Sequence, residues 1–194
     1  MAVMALMEFE GGTIDQYEQI NEALGIRGPQ DAPAGLIRHV VGESDDGLVI
    51  IDLWESPEAM ADFYENSLRR ASEQVEDVPE VEPKVAPVHN HVSGSGEIAG
   101  VIMIAEVPDA GTDVYDQVRG EIPGHDENHP AVSHAVAVTD DGLLIVDIWE
   151  SEEAFGQYAE EKVAPAGEKA GMTDFEPRIV KVHNHMEGPA GART

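Results

Sequence analysis

Apolar residues fall in short runs broken by Gly, Pro and Asp, and the spacing within each run names an element. Val3–Phe9 is a nearly continuous apolar stretch and predicts a strand covered on both faces. Ile14, Tyr17, Ile20 and Leu24 recur at helical spacing behind Thr13, a good cap. Gly28, Pro29 and Pro33 mark a loop, and Leu36–Val41 reads as a second strand. Asp46-Gly47 leads straight into a third, Leu48–Trp54, so strands two and three predict a hairpin. Ser56, Pro57 and Glu58 open a second helix whose stripe is Ala59, Met60, Phe63 and Leu68. Val85–Val92 closes the unit as a last strand. The order β-α-β-β-α-β is the ferredoxin-like arrangement.

The same pattern then runs a second time. DDGLVIIDLWESPEA at 45–59 returns as DDGLLIVDIWESEEA at 140–154 without a gap. His39 and His134 precede these blocks at equal distance, VHNH ends each half at 88–91 and 182–185, and Tyr17 faces Tyr115. Repetition at this scale means two copies of one structural unit. The expected organisation is repeat 1 over 1–92, a Ser/Gly linker at 93–97, repeat 2 over 98–186 and a loose Gly/Pro/Ala-rich tail at 187–194. Two helices cover one face of a four-stranded sheet and leave the other bare. A second copy in the same chain is the natural cover, which predicts an α+β fold of two tandem ferredoxin-like repeats.

Composition narrows the function classes. The 39 Asp+Glu against 11 Lys+Arg give a net charge of -28, spread along the chain rather than gathered in a tail. Such a surface repels phosphate backbones and anionic lipid, so nucleic-acid and membrane partners are not expected. The absence of cysteine removes disulfides, thiolate metal sites and cysteine nucleophiles. With no span-length apolar run and no signal-like start, the reading is a cytoplasmic globular protein.

Alternation along the strands singles out the residues that could carry chemistry. His39 shares a face with Ile37 and Val41, and His134 with Val132 and Val136. An imidazole among aliphatics is either a hydrogen-bonded core histidine or a neutral general base lining a cavity. Asp52 and Asp147 sit inside apolar strands ending in Trp54 and Trp149, where an acid needs a partner and could orient an imidazole. His89/His91 and His183/His185 form H-x-H pairs about 7 Å apart along a strand. With Glu8 or Glu106 from the first strand they could hold a divalent metal. The second half alone carries Gly124-His125-Asp126-Glu127-Asn128-His129-Pro130, where the first has Gly28–Pro33. That stretch reads as a polar loop, with cation binding as its alternative.

A hairpin strand ending Trp-Glu-Ser, followed by a helix opening Pro-Glu-Ala with an aromatic four residues on, resembles the dimeric α/β-barrel superfamily. Within it, both halves are similar to antibiotic-biosynthesis-monooxygenase-like domains. The resemblance implies a barrel of two facing sheets with helices outside, here built by one chain and open to further homodimerisation. It also implies a family that includes cofactor-independent monooxygenases, polyketide cyclases, haem-degrading enzymes and proteins without known activity. Many quinol-oxidising and haem-degrading relatives place a His on the second helix, where this chain has Phe63 and Tyr158. On that count haem is not expected.

The leading expectation is a small-molecule enzyme, monooxygenase- or cyclase-like and working without an organic cofactor. His39 or His134 would be the base, with His89, His183, Asp52 and Asp147 tuning it. Trp54, Trp149, Tyr17, Tyr115, Phe63 and Tyr158 would contact an aromatic or polyketide-like substrate. The alternatives are a non-catalytic ligand-binding or stress-type barrel with structural histidines, and a metal-dependent enzyme built on the H-x-H strands.

Overall fold

The hairpin signals set the sheet. In the computed structural model, which describes residues 1–172 and 175–191, β2 (Leu36–Ser44) pairs antiparallel with β3 (Gly47–Trp54), and β3 pairs with β1 (Val3–Glu10). The second copy repeats this. Here β6 (Ser133–Thr139) pairs with β7 (Gly142–Trp149), and β7 with β5 (Val101–Pro108). The turn glycines are required. Gly47 has φ +148°, and a Cβ there would lie 2.0 Å from the Phe9 carbonyl oxygen. Gly142 repeats the situation at φ +150°.

The final strands, β4 (Lys84–Ser93) and β8 (Arg178–Glu187), are the long ones. The hydrogen-bonded order β1-β3-β2-β8-β5-β7-β6-β4 closes on itself as an eight-stranded barrel. With its helices this is the α+β fold expected of two tandem ferredoxin-like repeats. Two compact units emerge: Met1–Ala86 with the chain from Val182 on, and Pro87–Lys181. Each unit therefore holds most of one repeat and the VHNH segment of the other, because β4 and β8 are divided along their length.

In the first unit α1 (Ile14–Leu24) starts at a capping box in which the Thr13 hydroxyl accepts from the Gln16 amide and the Gln16 side chain accepts from the Thr13 amide. It buries Tyr17 against Val41 and Leu48. The second helix starts at the Ser56 cap as α2 (Pro57–Phe63), passes through a π turn (Tyr64–Leu68) and continues as α3 (Arg69–Ser72). The apolar stripe predicts one regular helix. The π turn shifts the phase after Phe63, so that both Phe63 and Tyr64 pack on Trp54. The second unit follows with α4 (Thr112–Glu121), α5 (Glu152–Tyr158), a π turn (Ala159–Val163) and α6 (Ala164–Ala170).

The stretch read as a linker is tied down. The amides of Gly94, Ser95 and Gly96 donate to the carbonyls of Val132, His129 and Ala131. The backbones approach so closely that a Cβ at Gly94 would lie 2.0 Å from the Ala131 carbonyl oxygen. Of the tail read from Glu187, Gly188 and Ala190 donate to Ile37 and Leu36; residues 192–194 lie outside the described residues. No described helix is long and apolar enough to cross a membrane.

Candidate functional site

Strand register builds the site. His39 on β2 lies directly across from Asp52 on β3, and both face the helices. His39 Nδ1 is 2.7 Å from Asp52 Oδ1, and His39 Nε2 is 2.9 Å from the Tyr17 hydroxyl. A carboxylate can only accept, so Nδ1 carries the proton and donates to Asp52. The Nε2 lone pair then accepts from Tyr17. The Tyr17 oxygen in turn accepts from the Asn184 side chain at 2.8 Å. Tyr64 donates to the other Asp52 oxygen at 2.9 Å. The acid that alternation placed inside an apolar strand is thus fully engaged. Burial raises the Tyr17 and Tyr64 phenols above their ordinary range, with the Asp52 charge adding to the effect on Tyr64.

This constellation opens onto a cavity of about 1030 Å³ between the sheet and the helices of the first unit, walled by Met7, Ile20, Leu36, Ile50, Trp54 and Phe63 among others. His39, Asp52, Tyr17 and Tyr64 also line it. That is ample for a flat multi-ring molecule.

The second unit repeats the chain of contacts. His134 lies across from Asp147 in register. His134 Nδ1 is 2.7 Å from Asp147 Oδ1, Nε2 is 2.9 Å from the Tyr115 hydroxyl, and Asn90 donates to Tyr115 at 2.7 Å. Trp149 supplies the second donor to Asp147, at 3.3 Å, in the role Tyr64 plays in the first unit. The surroundings differ. The loop after α4 brings His125 and His129 onto His134, with ring centroids 5.0 and 4.9 Å away. Arg119 holds this loop through a two-pronged pair with Asp126, whose carboxyl it keeps well below the usual range, and Asp126 also meets His125 Nδ1 at 3.0 Å. The His134 side chain is 6% exposed, against 14% for His39.

The fold these elements build is shared with known structures. No protein-family model and no curated protein matches the chain. Among solved structures, a candidate monooxygenase from Fusobacterium nucleatum superposes with a TM-score of 0.70 at 8% identity, covering 97% of this chain and 94% of that one. A candidate monooxygenase from Lactobacillus acidophilus gives 0.63 at 13% identity, covering 96% of each chain. A heme-degrading enzyme from Listeria monocytogenes gives 0.51 at 13% identity, covering 93% of this chain and 99% of that one. An anthrone oxidase-like protein and a candidate chlorite dismutase also match. The chain has the fold of the monooxygenase-like dimeric α/β barrels. With haem-linked proteins among the neighbours, the comparisons lend no support to the expectation against haem. The imidazole lining the cavity, His39, has both ring nitrogens engaged by Asp52 and Tyr17.

The remaining residues named from sequence scatter within this barrel fold. His89 meets Asp116 at 3.0 Å, and His183 meets Glu18 at 2.8 Å. His91 lies 3.4 Å from the Ser133 hydroxyl, and Arg38 donates to His185 Nε2 at 2.8 Å. Glu8 and Glu106 are exposed. The H-x-H pairs are thus spent on separate partners. Among the described residues, the group of three or more His or acid side chains with converging ligand atoms is His125, His129 and His134. Phe63 lies in the cavity wall, while the Tyr158 ring packs at a tilt against Trp149 and His129.

Strand alternation misses Asn90 and Asn184, which it assigns to the opposite face from the histidines. A register shift between Val88 and Asn90 breaks the alternation in β4, and Asn90 reaches Tyr115. The repeated VHNH was the available signal. Tyr64 has no counterpart in the second half, where Ala159 stands, so repeat matching could not raise it.

Proposed function

We propose that the first unit's cavity is the active site of a small-molecule enzyme that abstracts a proton from a flat aromatic or polyketide-like substrate. The observation that carries this reading is the Asp52–His39–Tyr17 chain ending at the wall of a large, mostly apolar cavity. Asp52 fixes the tautomer of His39 and stabilises the imidazolium that forms. Tyr17, kept neutral by burial, passes the substrate's proton to Nε2 while Asn184 steadies its oxygen. Trp54, Phe63 and the aliphatic wall hold the ring system and exclude water.

Dioxygen then supplies the oxygenase chemistry. An acidic C–H between aromatic rings loses its proton to the base, and the resulting carbanion gives electrons to dioxygen and forms a C–O bond. The peroxide loses water to leave a ketone. For anthrone the balance is anthrone plus dioxygen to anthraquinone plus water, and no organic cofactor is required. The monooxygenase-like names among the fold neighbours agree with this class. The same base with no oxygen step would serve a cyclase.

The test is turnover of anthrone, followed by oxygen uptake and quinone absorbance. His39→Ala is expected to lose about 10²–10⁴-fold in kcat/KM. A folded His39→Ala protein with full activity contradicts the reading and favours a ligand-binding barrel.

A further inference from the structure

We propose that His125, His129 and His134 form a nitrogen-ligand site for a divalent transition-metal ion, buried in the second unit. The three residues are 8%, 2% and 5% exposed as wholes, and one ligand atom from each lies within 4.8 Å of the others. Ligands around a tetrahedral ion at about 2.1 Å sit about 3.4 Å apart, so an ion draws the rings together by roughly 1 Å.

Packing three imidazoles face to face and edge to face in one dry pocket is costly without a purpose, since none can be charged cheaply beside the others. Two of the rings are backed by carboxylates, Asp147 on His134 Nδ1 and Asp126 on His125 Nδ1. This is how ligating imidazoles are oriented toward a metal through the opposite nitrogen. His129 is the adjustable member, because its Nδ1 holds a long 3.3 Å contact from the Ala131 amide. At His134 an ion competes with the Tyr115 hydroxyl for the Nε2 lone pair.

A second observation points the same way. The Tyr158 hydroxyl is buried without a hydrogen-bond partner, on a ring centred 5.1 Å from that of His129. A water on the open position of a three-imidazole ion would give it one. All-imidazole ligation suits zinc, cobalt, nickel or copper and does not suit calcium or magnesium.

The experiment uses the full chain, stripped with chelator and titrated with Co²⁺ and Zn²⁺, read by visible ligand-field bands and by metal analysis after gel filtration. About one ion per chain is expected. His129→Ala and His125→Ala should each weaken binding by more than about 100-fold, and Asp126→Asn by about 10–100-fold through the orientation of His125. The milder His129→Asn, checked for native circular dichroism, separates ligand loss from misfolding. The His89→Ala/His183→Ala double variant should bind as wild type. No stoichiometric binding, binding that survives loss of His129, or binding that depends on His89 and His183 overturns the proposal.

Discussion

The two units share a closely matching hairpin block and build the same three-residue chain, yet one chain faces open space and the other faces two more histidines. Asp52–His39–Tyr17 and Asp147–His134–Tyr115 match to within 0.1 Å at each contact. What differs is the connection after the first helix. Gly28–Pro33 in the first unit forms a short 3-10 turn and leaves a cavity wall at Pro33. Residues 124–130 in the second insert His125 and His129, with Asp126 anchored to Arg119. Strand register preserves the Asp–His–Tyr geometry in both units, and the loops decide what lies beside it.

The largest expected contrast is in turnover. If only the open copy works, His39→Ala loses about 10²–10⁴-fold while His134→Ala stays within about threefold. Equal losses in the two variants would erase the distinction between the units. A stability contrast comes next. Removing both inserted rings with His125→Ala/His129→Ala leaves a buried void and should cost about 2–4 kcal/mol in urea denaturation. Replacing Gln30 and Asp31 in the corresponding loop should cost less than about 1 kcal/mol.

A smaller pair concerns hydroxyls. Tyr64→Phe takes a donor from the Asp52 carboxylate and should destabilise by about 1.5–3 kcal/mol. Tyr158→Phe removes a hydroxyl with no partner and should be neutral or slightly stabilising in metal-free protein.

A pH dependence comes from buried histidines in both units, His129 of the second as well as His185 of the first. Burial, followed by the Arg38 and His39 charges, lowers His185 to about 4. Glu187 acts on Arg38 in the same neighbourhood. An unfolded imidazole titrates near 6.5. Between these values the unfolded chain binds a proton that the folded chain does not. Stability is therefore complete above about pH 6.5 and declines as pH falls toward 4, by up to about 3 kcal/mol from this group. His185→Gln should make that limb of a denaturation profile shallower by its own share. An unchanged profile would remove His185 as its source.

Much of this was legible in the chain because it is carried by local pattern. The two hairpins, the Ser56 cap and the pairing of His39 with Asp52 across one register follow from alternation and turn residues. The tandem arrangement followed from repetition together with the bare sheet face, and the barrel from the resemblance to the dimeric α/β-barrel superfamily. The rest depends on features without a local signature. The register shift in β4 breaks the alternation between Val88 and Asn90, and the π turn carries Tyr64 to Asp52. The His125/His129 loop reads as an exposed polar loop until Arg119, seven residues before Asp126, is seen to hold it. Cavity volume is likewise a tertiary property, and nothing in Gly28–Pro33 announces it.

The central claim is that the first unit's base is reachable by a flat aromatic ligand and the second unit's is not. Imidazole ¹H–¹⁵N spectra of the labelled protein, recorded while anthrone is added, test it directly. The account predicts saturable shifts of the His39 ring, with His125, His129 and His134 unmoved. Shifts confined to His134 and its neighbours, or no shift at either ring, would contradict it.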